Sequence, residues 1–453
     1  MGARLFEQVR SSLLSRTILL LAACLFPAAA AAQPACAPLP PPSGPIVEVF
    51  PAQASQLRGI VAAARTGATI LLHDGVYDLT HGDAADRLSF DTPGVVLRSA
   101  SGKREAVVLE GGYGTNELVT IQASDVVIAD LTIARAFDHP VHISGPSGQP
   151  IVGVILHNLV VEDPGQQAIK INPIDDGFVD DGVVECSLIK LTAAGRPHIR
   201  GKCYTGGIDA HRAWGWVVRR NRVEGFWCDE GLSEHGIHFW NASRDTIVEE
   251  NVILDCARGV GFGLREAGGS RDYPDDPYPK VGYMGHIDGM IRNNFIAAGE
   301  PGLFASEAGF DTGIGLEQAH GAEVHHNSVA STQTPSSSSI EWRWSNTLAE
   351  ISNNVATSLL KPRDGGAAAL VTNLENAPLN WFSAIANGDL HLTVIAQPAI
   401  DGGTPLSPGT ADADIDLESR DSTPDIGADE LTEVIFSDGF ESGDLSAWAT
   451  STP

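Results

Sequence analysis

Eight short stretches between residues 118 and 343 repeat one alternating pattern. They read LVTIQ (118–122), PVHIS (140–144), AIKIN (168–172), GIDAH (207–211), GIHFW (236–240), GVGFG (259–263), GIGLE (313–317) and SIEWR (339–343). The second residue of each is Val or Ile and the fourth is mostly apolar, the signature of a strand with one buried face. A second phrase falls between them: VIADLTI, ILHNLVV, VVECSLI, VVRRNRV, IVEENVI, MIRNNFI, EVHHNSV and EISNNVA. We align it on Asp130, Asn158, Cys186, Asn221, Asn251, Asn294, Asn327 and Asn354, whose spacings run from 27 to 43 residues. A repeat of this length with two or three short strands per turn predicts a coil that stacks on its neighbours. The Asn column has a structural explanation, since Asn tolerates left-handed backbone at tight turns and stacked amides bond one another.

These repeats resemble the right-handed parallel β-helix family of pectate lyases, polygalacturonases and alginate-modifying enzymes. The resemblance covers residues 51–430 and implies an all-β solenoid of roughly ten coils. The stretch Gln56 to Arg65, ended by Gly67, reads as a helix that plugs the open N-terminal end and covers an otherwise unpaired edge.

Residues 1–32 read as a secretion leader: Arg4, Arg10 and Arg16 precede an apolar run, and Ala28 to Ala32 offer a cleavage site before Gln33. Leu21-Ala22-Ala23-Cys24 resembles a lipoprotein box, so an outer-membrane anchor through Cys24 is the alternative to a secreted or periplasmic protein. Residues 33–50 read as a Pro-rich linker and residues 431–453 as a C-terminal tail. The formal net charge is −28, and loss of residues 1–32, which carry Arg4, Arg10, Arg16 and Glu7, makes it −30. So acidic a surface argues against nucleic acid or anionic membrane as a partner. A monomer acting on polysaccharide is expected, and an anionic polymer would need a locally basic groove or bridging cations. Calcium is the cofactor to consider, because the carboxylates of 412–430 alternate; a solvated acidic cap is the preferred explanation of them.

After the leader, Cys36, Cys186, Cys203, Cys228 and Cys256 remain. In an oxidising compartment Cys186–Cys203 would close the loop between them and Cys228–Cys256 would link adjacent coils, although spacing does not choose. No paired Cys/His spacing of a zinc site is present.

If the Val and Ile residues point inward, the third and fifth residues of each phrase point outward and stack. One column is Thr120, His142, Lys170, Asp209, His238, Gly261, Gly315 and Glu341; the other is Gln122, Ser144, Asn172, His211, Trp240, Gly263, Glu317 and Arg343. With coils about 4.8 Å apart, Lys170, Asp209 and His238 become neighbours, as do Asn172, His211 and Trp240. Two longer loops flank them: residues 190–206 with Arg196 and Arg200, and residues 265–288 with Arg265.

This set suits proton abstraction from a uronate. The reaction needs a neutralised carboxylate, a base for the proton at C5 and an acid for the departing 4-oxygen. Lys170, Asp209, His211 and His238 are the candidate catalytic residues, with Lys170 as base or acid. His142, Asn172, Arg196, Arg200, Arg265, Glu317, Glu341 and Arg343 are candidate substrate contacts, and Trp240 offers a face for a sugar ring. GIDAH, preceded by Tyr204, is similar to the Asp-Pro-His signature of mannuronan C5-epimerases, which implies site roles for Asp209 and His211. Ala210 stands where that family has Pro, and Tyr204 lies one residue further off. Two alternatives stay open: a glycoside hydrolase using Glu317 and Glu341, for which the polygalacturonase signatures are absent, and a glycan-binding or adhesive solenoid.

Overall fold

The computed structural model describes residues 36–431, so the leader, Cys24 and nearly all of the C-terminal tail lie outside the described residues. Each coil gives one short strand to each of three parallel sheets, as in Val183–Glu185, Leu188–Lys190 and Gly206–His211. The second and third sheets hold ten strands each, in agreement with the expected number of coils.

The repeated phrase supplies the third sheet, and its alternation behaves as read. Ile169, Ile208, Ile237, Val260, Ile314 and Ile340 form one fully buried inward file. Ile171, Ala210, Phe239, Phe262, Leu316 and Trp342 form the next. Burial of this order, at about 25 cal/mol per Å² of apolar surface, is what holds a solenoid together in place of a central core.

The Asn column needs a correction. The left-handed residue at the sharp turn is Asp130, Asn158, Cys186, Arg220, Glu250, Asn293, His326 or Asn353, with φ between 50° and 61°. The ladder Asn is the next residue along, so Asp130, Asn158 and Cys186 do not share its slot. Asn221, Asn251, Asn294, Asn327, Asn354 and Asn373 are linked amide to amide at 2.9–3.1 Å. Their role is to satisfy buried backbone groups at the turn: Asn251 accepts from the Asn221 N–H and donates to the Val218 carbonyl.

Both ends differ from expectation. Ile46–Val49 pairs in parallel with Thr69–Leu72, so the solenoid begins inside the stretch read as linker. Helix α1 spans Ala54–Ala62 and buries Leu57 and Val61 as the N-terminal plug. The disulfides are Cys36–Cys186 and Cys203–Cys228, with Cys256 free and buried; neither pairing weighed from the sequence forms. Cys36 therefore tethers the Pro-rich arm to the side of the solenoid, a partner no local spacing could indicate.

Coiling ends at Ala367–Val371, and the rest of the described chain folds back over the second sheet. There Ile415, Ile426 and Ala428 pack with Val252, Phe295 and Val355. The acidic segment is not a solvated cap. Asp414 accepts from three backbone N–H groups, and Arg420 is buried against Glu430. Asp425 and Asp429 likewise receive backbone N–H groups, which leaves this segment poorly suited to a calcium cage. Among the described residues no helix is long and apolar enough to cross a membrane.

Candidate active site

The register of the third sheet builds the first predicted column as read. Thr120, His142, Lys170, Asp209, His238, Gly261, Gly315 and Glu341 are successive cross-strand partners. In the second column His211 pairs with Trp240 and Glu317 with Arg343.

Lys170 donates to Asp209 Oδ2, and its ammonium also lies 3.1 Å from His211 Nε2. That nitrogen is 3.3 Å from the same Asp209 oxygen, closing a triangle. The other oxygen of Asp209 accepts from Trp240 Nε1 at 2.9 Å and lies 3.3 Å from His238 Nδ1. His238 Nε2 is 3.0 Å from the Gly263 carbonyl. Lys170 and Asp209 point away from the core yet are buried, unlike an ordinary solvated strand face.

Burial and pairing set the charges. Burial pulls Lys170 down, but the Asp209 carboxylate and the Tyr204 phenol outweigh it and raise its pKa. Burial pushes Asp209 up, but Lys170, His211 and His238 hold it well below the usual carboxylate range. Asp209 thus favours the cationic form of Lys170. His211 is pulled down, chiefly by burial, and is a neutral imidazole at neutral pH. Its Nδ1 has no hydrogen-bond partner, and its side chain keeps 20% exposure.

Tyr204, which the sequence only placed near GIDAH, joins the triangle. Its ring centroid is 6.0 Å from Lys170 Nζ, and the residue is 39% exposed. The Cys203–Cys228 disulfide fixes the chain beside it.

Other predicted contacts are accounted for differently. Trp240 is no open sugar platform: it is buried, stacked parallel to His238 at 5.6 Å, with Arg265 over its ring at 5.2 Å. Arg196 is spent on Trp227, stacking at 3.7 Å and donating to the Trp227 and Gly225 carbonyls. Arg200 stacks on Phe137 at 3.5 Å and pairs with Asp138. Of the three loop arginines, Arg265 alone is exposed without a carboxylate partner. His142 is held between Glu117 and Asn172, at 2.5 and 2.7 Å. Glu341 is bound through both oxygens by Arg363, and Glu317 by Arg343 at 3.0 Å. Burial pushes Glu317 up to about 7, against the pull of Arg343.

A third outward column was missed: Gln167, Gly206, His235, Arg258, Thr312 and Ser338 also pair in register. Its sequence signal was the Gly before the Val or Ile in four of the eight phrases. Gly207, Gly236, Gly259 and Gly313 face inward at a corner where a Cβ would strike a core side chain or the next coil's backbone, turning the preceding residue outward.

The fold is that of a right-handed parallel β-helix. Pel9A, a pectate lyase, superposes with a TM-score of 0.53 at 14% identity, over 86% of this chain and 97% of its own. An alginate lyase from Paenibacillus sp. str. FPU-7 gives 0.52 at 16% identity, over 72% of this chain and 99% of its own. The A-module of the Azotobacter vinelandii mannuronan C-5 epimerase AlgE6 gives 0.43 at 13% identity, over 72% and 90%. No protein-family model matches the chain, and no curated protein matches it by sequence.

Proposed function

We propose that this protein acts on a polyuronate by abstracting the proton at C5, followed by β-elimination or by return of the proton to the opposite face. The observation that carries the reading is the triangle of Lys170, Asp209 and His211, with Tyr204 exposed beside it. A binding surface has no use for a buried cation locked to a buried carboxylate next to a neutral imidazole.

Lys170, with Arg265 from the loop, meets the substrate carboxylate and stabilises the charge that develops when the C5–H bond breaks. His211 is the base, its imidazole held at Nε2 by Asp209 and Lys170. Tyr204 is the acid. In elimination the C5–H electrons form the C4–C5 double bond, the C4–O4 bond breaks, and O4 takes the phenol proton. In epimerisation the phenol proton goes to C5. Mannuronan C5-epimerases, which the GIDAH stretch resembles, share this first step with lyases.

The hydrolase reading is weaker. Glu341 is buried and occupied through both oxygens by Arg363, so it is not placed to activate a water.

The test is incubation of the purified protein with mannuronate, guluronate and galacturonate polymers, following the ultraviolet absorbance of a new C4–C5 double bond together with the uronate composition. Product on at least one polymer, lost in His211→Ala, is expected. Turnover confined to neutral glycans would remove the proposal.

A further inference from the structure

Beside the triangle, Glu234, His235 and His238 form a second cluster with a different chemistry. Gly236 and Ile237 turn into the core, so His235 and His238 emerge side by side on the outer face, ring centroids 4.4 Å apart. One ligand atom from each of the three residues lies within 4.8 Å of the others.

Three features have no account within the protein. His235 is 2% exposed, and its buried Nδ1 has no hydrogen-bond partner. The fold makes room for that ring: a Cβ on Gly261 would come within 2.6 Å of it, and the next coil also carries glycine, Gly315. His238 donates its Nε2–H to the Gly263 carbonyl, which can only accept. Its Nδ1, buried and without a well-formed hydrogen bond, faces two carboxylate oxygens, Asp209 Oδ1 at 3.3 Å and Glu234 Oε2 at 3.5 Å. Two buried imidazole nitrogens without partners beside a carboxylate make a place for a cation.

We propose that Glu234, His235 and His238 bind one divalent transition-metal ion of the zinc type. Two imidazoles and a carboxylate suit that class, whereas calcium takes oxygen ligands. Bonds of 2.0–2.2 Å in tetrahedral array place ligand atoms about 3.4 Å apart, and His238 Nδ1 already lies 3.5 Å from Glu234 Oε2. Arg258, 3.3 Å from the same Glu234 oxygen, would hold that carboxylate as an outer partner. The ion would fix His238, and through it Trp240 and Asp209, at the floor of the groove. The inference does not depend on the polyuronate reading.

The experiment is zinc titration of chelator-treated full-length protein by calorimetry, with X-ray absorption on the zinc-loaded wild type. One equivalent should bind, with scattering from two imidazoles. His235→Gln and Glu234→Gln should weaken it by about a hundredfold or more, while His391→Asn, in a separate His–Asp cluster, should not. Absence of stoichiometric binding, a site without imidazole scattering, or unchanged affinity in His235→Gln would overturn the proposal. The wild-type spectrum decides the matter even if a variant fails to fold.

Discussion

Lys170 and Asp209 are a buried ion pair, and their substitution has a cost that an exposed groove would not impose. Lys170→Ala leaves a carboxylate buried without its counter-ion and should lower stability by about 3–5 kcal/mol in urea unfolding. Lys170 has a raised pKa, so its contribution is complete below 10.5 and is lost as pH rises through its folded value. Asp209 has a depressed pKa, so its contribution is complete above 3.8 and is lost as pH falls through its folded value. The gap between wild type and Lys170→Ala should therefore stay constant from about pH 5 to 9. Tyr204→Phe is the complementary case: it removes one exposed oxygen, so stability should move by no more than about 0.5 kcal/mol. Turnover should nonetheless fall by about 10²–10⁴. A Tyr204→Phe enzyme with full turnover would remove the phenol from the mechanism.

At the scale of elements, the third sheet was legible because its period of two is written eight times with the same inward residues. The two outward columns followed from that alternation alone. The ladder slot was misread by one residue in its first three members, because Asp130, Asn158 and Cys186 look like turn residues and are turn residues. The amide stack belongs one place later and begins only at Asn221. That placement yields a prediction: Asn251→Ala removes the amide that accepts from the Asn221 N–H and donates to the Val218 carbonyl, at about 0.5–1.5 kcal/mol for each hydrogen bond lost. Amide exchange should show the loss in the coils on either side of residue 251, and an unperturbed exchange pattern would contradict the ladder's role. What the sequence could not show was long-range partnership. Nothing local tells Cys36 to reach Cys186, or that Arg196 is spent on Trp227 while Arg265 stays open. The burial that opposes the charge of Lys170, and that Asp209 outweighs, is likewise written in no repeat.

Across the whole molecule, the solenoid carries the site on one sheet and a charged segment folded over another. His391 lies between Asp389 and Asp416, both at 2.6 Å; burial opposes its charge, but the two carboxylates raise it to about 10. Its stabilisation is complete below 6.5 and disappears as pH rises through about 10. Asp429, raised to about 7 chiefly by burial, works in the same direction at lower pH. Residues 393–431 should therefore become cleavable by protease between neutrality and about pH 10, before the coils do, and His391→Asn should bring cleavage to lower pH. Proton abstraction at C5 is read by proton NMR of the protein with polyuronates in D2O. Deuterium at C5 or new vinyl signals are expected with the wild type, and neither with His211→Ala. Polymers that stay unlabelled and uncleaved, or labelling that persists in His211→Ala, would contradict it.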